Sequence, residues 1–260
     1  MTASPPELDL DTREALAELL LSVADDEFVI GFWDSEWTGI APMLEEDVAT
    51  SSIAQDEIGH AKALYELLAE LTNDDPDRIA YGRDASAFRH AALLNHARGD
   101  WAFSVARRYL YETADAVRLE ALVDGTWAPL ADLVGKMRRE ERYHTMHIGT
   151  WFERLARTPG EPHDRLAAAL ATLGPDAATV FTPIPGEPAL LDAGVVTRSL
   201  AEQETAWRAE VSARLRALGL PELPATPSPA TGRGPGHGPE FDWLHGEFTM
   251  VRRTDPVAAW

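Results

Sequence analysis

The chain has 260 residues, no cysteine, and 43 acidic against 23 basic side chains, which give a formal net charge of −20. The absence of thiols excludes disulfides, iron–sulfur clusters, thiolate zinc sites and a cysteine nucleophile, and the charge disfavours binding to nucleic acid or to an anionic membrane. The first residues lack the basic and long apolar segments of a signal peptide or membrane anchor, so we expect a cytoplasmic protein without nucleic-acid or membrane partners.

Four long helical patterns cover most of the first 157 residues. Apolar residues recur every three or four positions from about Asp11, which we expect to cap the first helix, to about Gly39. The other three patterns cover about residues 42–71, 100–123 and 129–157, and Asn95 is a possible cap before the third. Such helices exceed the usual length of about 12 residues, which favours a helical bundle. No segment shows the alternating pattern of a strand.

Shorter elements follow. We predict helices over residues 164–173, 196–218 and 240–253, and a proline-rich loop over 181–188. Residues 221–239 are rich in Pro, Gly, Ser and Thr, which predicts an extended, mobile connector. The expected domains are therefore a helical domain over residues 1–220, with its core bundle at about 11–157, and a connector with a C-terminal helix over residues 221–260.

The sequence contains two Glu-x-x-His motifs. Glu57 precedes His60 in the second helical pattern, and Glu141 precedes His144 in the fourth. Residues three apart on a helix lie on the same face, so each pair can bind one metal ion. A single match of this kind arises easily by chance. The positions of further acids therefore decide whether the two motifs indicate a metal site.

One more glutamate lies at a matched depth before each motif. Glu27 is 30 residues before Glu57, and Glu112 is 29 residues before Glu141. Because each helical residue rises about 1.5 Å, this separation brings both side chains to the same height in an antiparallel hairpin with a short loop. The chain is therefore predicted to contain two helical hairpins, each of which carries Glu plus Glu-x-x-His.

Two such hairpins around a pseudo-twofold axis give four carboxylates and two imidazoles in a bundle core. This is the known ligand pattern of ferritin-like di-iron and di-manganese carboxylate proteins. The predicted fold class is accordingly all-α: a ferritin-like four-helix bundle with additional C-terminal helices and a Pro/Gly-rich tail. The cofactor would be two iron ions, with manganese as an alternative. The predicted metal ligands are Glu27, Glu57, His60, Glu112, Glu141 and His144.

The residue before each motif suits an outer layer of hydrogen bonds around the metal ligands. We expect Asp56 to accept the Nδ1 hydrogen bond of His144, and Glu140 to accept that of His60, which would fix the orientation of each ring. No catalytic residue beyond the metal ligands is assigned.

Other residues compete for some of these positions. The alternatives to Glu112 are Asp115 and Glu120, those to Glu27 are Asp34 and Glu36, and the alternative to His144 is His147. The remaining histidines show no ligand spacing and are expected to be ordinary residues: His90, His96, His163, His237 and His245. Several arginines are expected to be solvated or interface charges, unless some of them bind a phosphate: Arg107, Arg108, Arg138, Arg139 and Arg142.

The chain resembles the subunits of the bacterial phenylacetyl-CoA 1,2-epoxidase, a multicomponent di-iron monooxygenase. The stretch from Glu141 to His144, followed by His147 and residues 151–155, is similar to its C-type subunit, and so is the Gly-rich ending from Gly232 to Trp260. The resemblance implies a component of an oxygen-dependent epoxidase that acts on an aromatic acyl-CoA. It also implies a paralogous catalytic A-type subunit, other complex subunits and a reductase as partners.

The C-type subunit of that enzyme is generally described as a structural paralogue that has lost part of the ligand set. Here residues 55–60 resemble the motif of the catalytic paralogue, and Glu27 and Glu112 are both present. Two alternatives stay open beside an epoxidase subunit with an intact di-iron site. One is a non-catalytic structural subunit, in which the cofactor would be absent, and the other is a stand-alone di-iron oxygenase with another substrate.

Overall fold

The computed structural model describes residues 8–225 and 232–255, and all regular structure in these ranges is helical. The long helices are α1 (Leu10–Ser35), α2 (Leu44–Thr72), α4 (Trp101–Leu122) and α5 (Ala128–Arg157). The shorter ones are α3 (Pro76–Tyr81), α6 (Glu161–Leu173), α7 (Glu187–Asp192), α8 (Leu200–Ala217) and α9 (Pro239–Thr254). None of the described helices is long and apolar enough to cross a membrane.

Side-chain capping explains where several helices start. Asp9, not the expected Asp11, caps α1, because its carboxylate accepts a hydrogen bond from the Thr12 amide at 2.8 Å. Asp100 caps α4 by accepting from the Phe103 amide at 2.9 Å. The suggestion that Asn95 is a helix cap is wrong, since Asn95 ends a short 3-10 helix and its side chain binds two histidines instead.

Two later boundaries differ from the predicted ones. The helix expected from residue 196 starts at Leu200, where Ser199 and Glu202 form a reciprocal capping box. The preceding residues are held out of the helix, because the Thr197 amide donates to the Ala121 carbonyl at 2.9 Å. The loop expected over residues 181–188 contains the end of a 3-10 helix and the start of α7.

The chain divides into two compact units. The first unit comprises residues 19–98 and 231–260, and the second comprises residues 1–18 and 99–230. Most of α1, α2, α3 and α9 belong to the first unit, where α3 contacts both α2 and α9. In the second unit α4 contacts α5, α6 and α8. Each unit thus contains one of the two predicted hairpins. The domain boundary at residue 220 stays a prediction.

The C-terminal connector packs more than its composition predicts. Residues 226–231 lie outside the described residues, but the side chain of Arg233 is 8% exposed and His237 is buried, both within the first unit. Gly232 has φ +79°, and a Cβ atom there would lie 2.3 Å from the Ala92 amide nitrogen. The expectation of an unpacked connector is therefore wrong at Gly232, Arg233 and His237, which pack against the segment around His90, whereas residues 235 and 236 are exposed.

Candidate metal centre

The first triad consists of Glu27 on α1 and of Glu57 and His60 on α2, all buried within the first unit. The Nδ1 atom of His60 lies 3.3 Å from Glu27 Oε2 and 3.9 Å from Glu57 Oε2. One ligand atom from each residue lies within 4.8 Å of the others. These three residues from two helices are therefore close enough to bind one cation.

The second triad repeats this arrangement in the second unit. It consists of Glu112 on α4 and of Glu141 and His144 on α5, and all three side chains are buried. His144 Nδ1 lies 3.2 Å from Glu141 Oε1, and ligand atoms of the three residues again lie within 4.8 Å of one another. The two hairpins thus place the same chemical groups together from different parts of the chain.

The competing acids have other contacts. Asp115 is buried beside Arg118, whose Nε donates to Asp115 Oδ1 at 2.8 Å. Glu120 pairs with Arg198 at 2.6 Å, and Glu36 lies 3.6 Å from Arg98. Of the three acids considered on α4, Glu112 is the one grouped with Glu141 and His144. The assignment of all six residues as metal ligands stays a prediction.

The histidine rings turn Nδ1 toward the carboxylates of their own triad. Asp56 is half-buried and Glu140 is exposed. Their pairing with the histidines of the opposite hairpin stays a prediction. His147, the alternative to His144, is half-buried and its ring stacks on Tyr143.

Sequence reasoning missed the role of Arg108. This residue is buried and forms an ion pair with Glu112, one turn further along α4. The expectation of a solvated or subunit-interface charge is therefore wrong for Arg108, and Arg107 is fully buried as well. The spacing of Arg108 and Glu112 by four residues was the available signal, since such pairs are neighbours on a helix.

A groove of about 350 Å³ reaches the second triad between α4 and α5. Arg138 and Arg142 line it together with Glu141, which is 5% exposed. Its volume lies at the lower end of the range of small-ligand sites. The remaining lining residues are Ala116, Leu119, Thr145 and Met146.

The donor set fits iron or manganese. Each triad offers two carboxylates and one imidazole, which are ligands that suit these metals, and the chain has no thiolate to favour softer ones. Burial also favours a bound cation, because carboxylates without a positive partner are strongly destabilised in an apolar interior. Arg108 supplies such a partner to Glu112, so a metal ion at the second triad has a competitor.

The fold and these buried triads are those of an all-α carboxylate protein of the ferritin-like class, and comparison with known sequences agrees. Residues 2–260 match the family of phenylacetic acid catabolic proteins, so the chain belongs to that family. It is similar to the C-type subunit of the 1,2-phenylacetyl-CoA epoxidase of Escherichia coli (strain K12), with 28% identity over 249 residues that cover 94% of this chain and 99% of that protein. The predicted fold class and family resemblance are confirmed, and membership associates the chain with phenylacetate catabolism.

Proposed function

We propose that this chain is a subunit of a multicomponent di-iron monooxygenase that epoxidises the ring of phenylacetyl-CoA. The observation that carries the proposal is the pair of buried triads, each with two carboxylates and one imidazole within 4.8 Å. Under this proposal they would supply the six ligands of a two-ion carboxylate site. The similarity to the C-type component of an epoxidase supports the substrate and the reaction.

The chain's own residues would contribute ligand geometry and charge. Glu27, Glu57 and His60 would hold one side of the site, and Glu112, Glu141 and His144 would hold the other. Iron held by these residues would supply the reaction with O2, and a separate reductase would supply the electrons. Burial of the triads excludes bulk water, and the four carboxylates balance the charge of two divalent cations.

The groove between α4 and α5 supports an anionic substrate. Arg138 and Arg142 provide positive charge at its wall in a chain with a net charge of −20, and Met146 adds apolar surface. An aromatic acyl-CoA carries phosphates and an apolar acyl group, so it matches both features. The protein is proposed to be cytoplasmic and to work with the paralogous A-type subunit.

Iron analysis tests the proposal. The chain, purified alone and together with its paralogue, is titrated anaerobically with ferrous iron, and bound iron is measured after desalting. We expect about two iron ions per chain, and less in Glu57→Ala and His144→Ala. Glu66→Ala is the matched control, since Glu66 is an exposed glutamate on the same helix as Glu57. Iron content below about one ion per chain, unchanged by either ligand substitution, would end the proposal.

A structural subunit is the second candidate, and the ion pair between Arg108 and Glu112 favours it. That pair neutralises one candidate ligand without a metal ion. A chain that forms a stable complex with its paralogue but retains no iron would support this role. His147→Ala, tested beside His144→Ala, decides which histidine of α5 contributes to any bound metal.

A further inference from the structure

Three consecutive acids, Asp25, Asp26 and Glu27, are fully buried in the middle of α1. Glu27 belongs to the first triad, whereas neither aspartate belongs to it. A buried carboxylate is costly unless it is paired and hydrogen-bonded. The partners of the two aspartates therefore determine how this turn of α1 is held.

Asp25 is held by α2 and by the segment that follows it. The Tyr65 hydroxyl donates to Asp25 Oδ1 at 2.6 Å, Arg83 Nη1 donates to Oδ2 at 3.0 Å, and the Arg89 amide donates to Oδ2 at 2.6 Å. Burial raises the pKa of Tyr65 well above its usual value, and the Asp25 carboxylate raises it further, so the phenol keeps its proton. All these partners lie within residues 65–89.

Asp26 is held by the Ala91 amide, which donates to Oδ1 at 2.7 Å, and by Arg233 of the C-terminal segment, residues 232–255. The guanidinium of Arg233 makes two parallel hydrogen bonds, from Nη1 to Asp26 Oδ1 at 2.8 Å and from Nη2 to Oδ2 at 2.9 Å. Nη1 also donates to the Ser22 carbonyl at 3.2 Å, one turn earlier on α1, and to the Arg89 carbonyl at 2.6 Å. This fork of two parallel hydrogen bonds fixes both the rotation of α1 about its axis and its position along that axis at Asp26.

The backbone on both sides of Arg233 is anchored to the same unit. Gly232 lies so close to residues 90–92 that any side chain there would overlap the backbone. His237 stacks on His90 with ring centroids 3.8 Å apart, and Phe248 of α9 contacts Phe28 with centroids 5.0 Å apart. The C-terminal segment is therefore a fixed support for α1.

We propose that Arg233 is a positioning residue for Glu27 and so sets the metal affinity of the first triad. Consecutive residues on a helix are separated by about 100°, so Asp26 and Glu27 face different directions but rotate together. If Asp26 loses its fork, α1 rotates to relieve the buried charge, and Glu27 moves away from His60 by the same rotation. This inference rests on the proposed function, in which Glu27 is a metal ligand.

Substitution of Arg233 in the full chain tests the proposal by anaerobic titration with ferrous iron. Arg233→Met keeps the length of the side chain without its charge, and Arg233→Lys keeps the charge without the fork. We expect iron binding to weaken about 10- to 100-fold in Arg233→Met and by a smaller factor in Arg233→Lys, which is the usual size for a residue that orients a metal ligand. Arg216→Met is the control, because Arg216 is an exposed arginine that pairs with Glu222.

Hydrogen exchange of residues 22–30 in the metal-free protein gives a second readout. We expect faster exchange there in Arg233→Met and the wild-type rate in Arg216→Met. If Arg233 only stabilised the fold, Arg233→Met would lower the unfolding midpoint but leave the iron affinity of the folded protein unchanged. That result would overturn the proposal. If Arg233→Met does not fold, wild-type affinity in Arg233→Lys overturns it. If the wild type binds no iron, the proposed function fails separately. Unchanged hydrogen exchange in α1 of Arg233→Met then shows that the fork between Arg233 and Asp26 does not position α1, which overturns the proposal.

Discussion

Two kinds of cation compete for the carboxylate of Glu112. Arg108 pairs with it inside α4, and a metal ion bound by Glu141 and His144 would require the same group. Two positive charges that share one buried carboxylate repel each other, and the repulsion is stronger in a protein interior than in water. The guanidinium therefore stabilises the metal-free second triad and opposes metal binding to it.

Arg108→Met is expected to raise the iron affinity of the protein by about tenfold or more, because it removes this repulsion. The same change lowers the free energy of unfolding of the metal-free protein by about 3–5 kcal/mol, since Glu112 loses its buried partner. Iron titration and urea unfolding of metal-free protein measure the two effects.

Arg118→Met is the matched control, because it breaks a buried pair with Asp115 on the same helix. It should destabilise the fold without raising iron affinity. Equal iron affinity in both variants would contradict the competition.

At the scale of helices, the contact between α1 and α2 depends on Gly31. A Cβ atom at this position would lie 2.9 Å from Ile58 Cγ1, 3.0 Å from Glu57 Cβ and 3.1 Å from the Ala54 carbonyl oxygen. Gly31 is one turn after Glu27 and touches the turn of α2 that carries Glu57. The absence of a side chain at Gly31 thus lets the helices approach closely enough to form the first triad.

Gly31→Ala is expected to destabilise the protein by about 1–3 kcal/mol, although alanine has the higher helix propensity, because the methyl group overpacks this contact. Iron binding should weaken as well, since α1 must move away from α2. Thermal unfolding and iron titration measure the two effects.

Gly59→Ala is the control on the facing helix, where a Cβ atom meets nothing within 4 Å. This change should stabilise α2 by about 0.5–1 kcal/mol. If Gly31→Ala also stabilised the protein, the close contact would not limit the packing of the two helices.

At the scale of the whole chain, the first unit is completed by its C-terminal segment. The rings of His90 and His237 stack there. Asn95 Oδ1 lies 2.7 Å from His90 Nε2 and 3.1 Å from His237 Nδ1. His237 Nε2 donates to the Phe88 carbonyl at 3.0 Å. Burial lowers the pKa of His90 well below its usual value, and the nearby His237 lowers it further. Burial also lowers the pKa of His237, although the Phe88 carbonyl and Asp25 oppose the shift.

Stability should therefore fall as the pH drops below about 6.5, the value at which an unfolded histidine takes up its proton. The folded rings stay neutral, so the unfolded chain binds more protons in this range and unfolding becomes easier. We expect these two groups to reduce the free energy of unfolding by about 1–3 kcal/mol between pH 7.5 and pH 5.5. Above pH 7.5 they have no effect.

Urea unfolding across this pH range measures the dependence in the wild type, in His237→Phe and in the control His163→Gln, which lies outside this cluster. His237→Phe should flatten the curve and His163→Gln should not. Arg233 and Arg89 also lower the pKa of His237, so the experiment keeps both arginines. An equal pH dependence in wild type and His237→Phe would contradict the assignment.

Periodicity and spacing predicted the long helices and the members of each triad, because these features depend on neighbours within one hairpin. The nearly equal separations from Glu27 to Glu57 and from Glu112 to Glu141 were sufficient to group the acids that lie together. Helix ends were predicted less well. Residues 196–199 are helix-compatible by composition, but a hydrogen bond to the end of α4 keeps them out of α8.

The amino-acid sequence by itself determined the all-α class, the two hairpins, the family and the donor groups of each triad. Only the tertiary structure revealed that Arg108 is buried beside Glu112, that Gly31 is a contact point, and that Arg233 reaches Asp26 from 207 residues away. The reason is physical: helical periodicity is a local property of the chain, whereas the partner of a buried charge is chosen by packing between distant segments. The Pro/Gly-rich composition around Arg233 predicted a loose connector. In the structure, the contacts of Gly232 and Arg233 with the first unit hold this part of the connector in place.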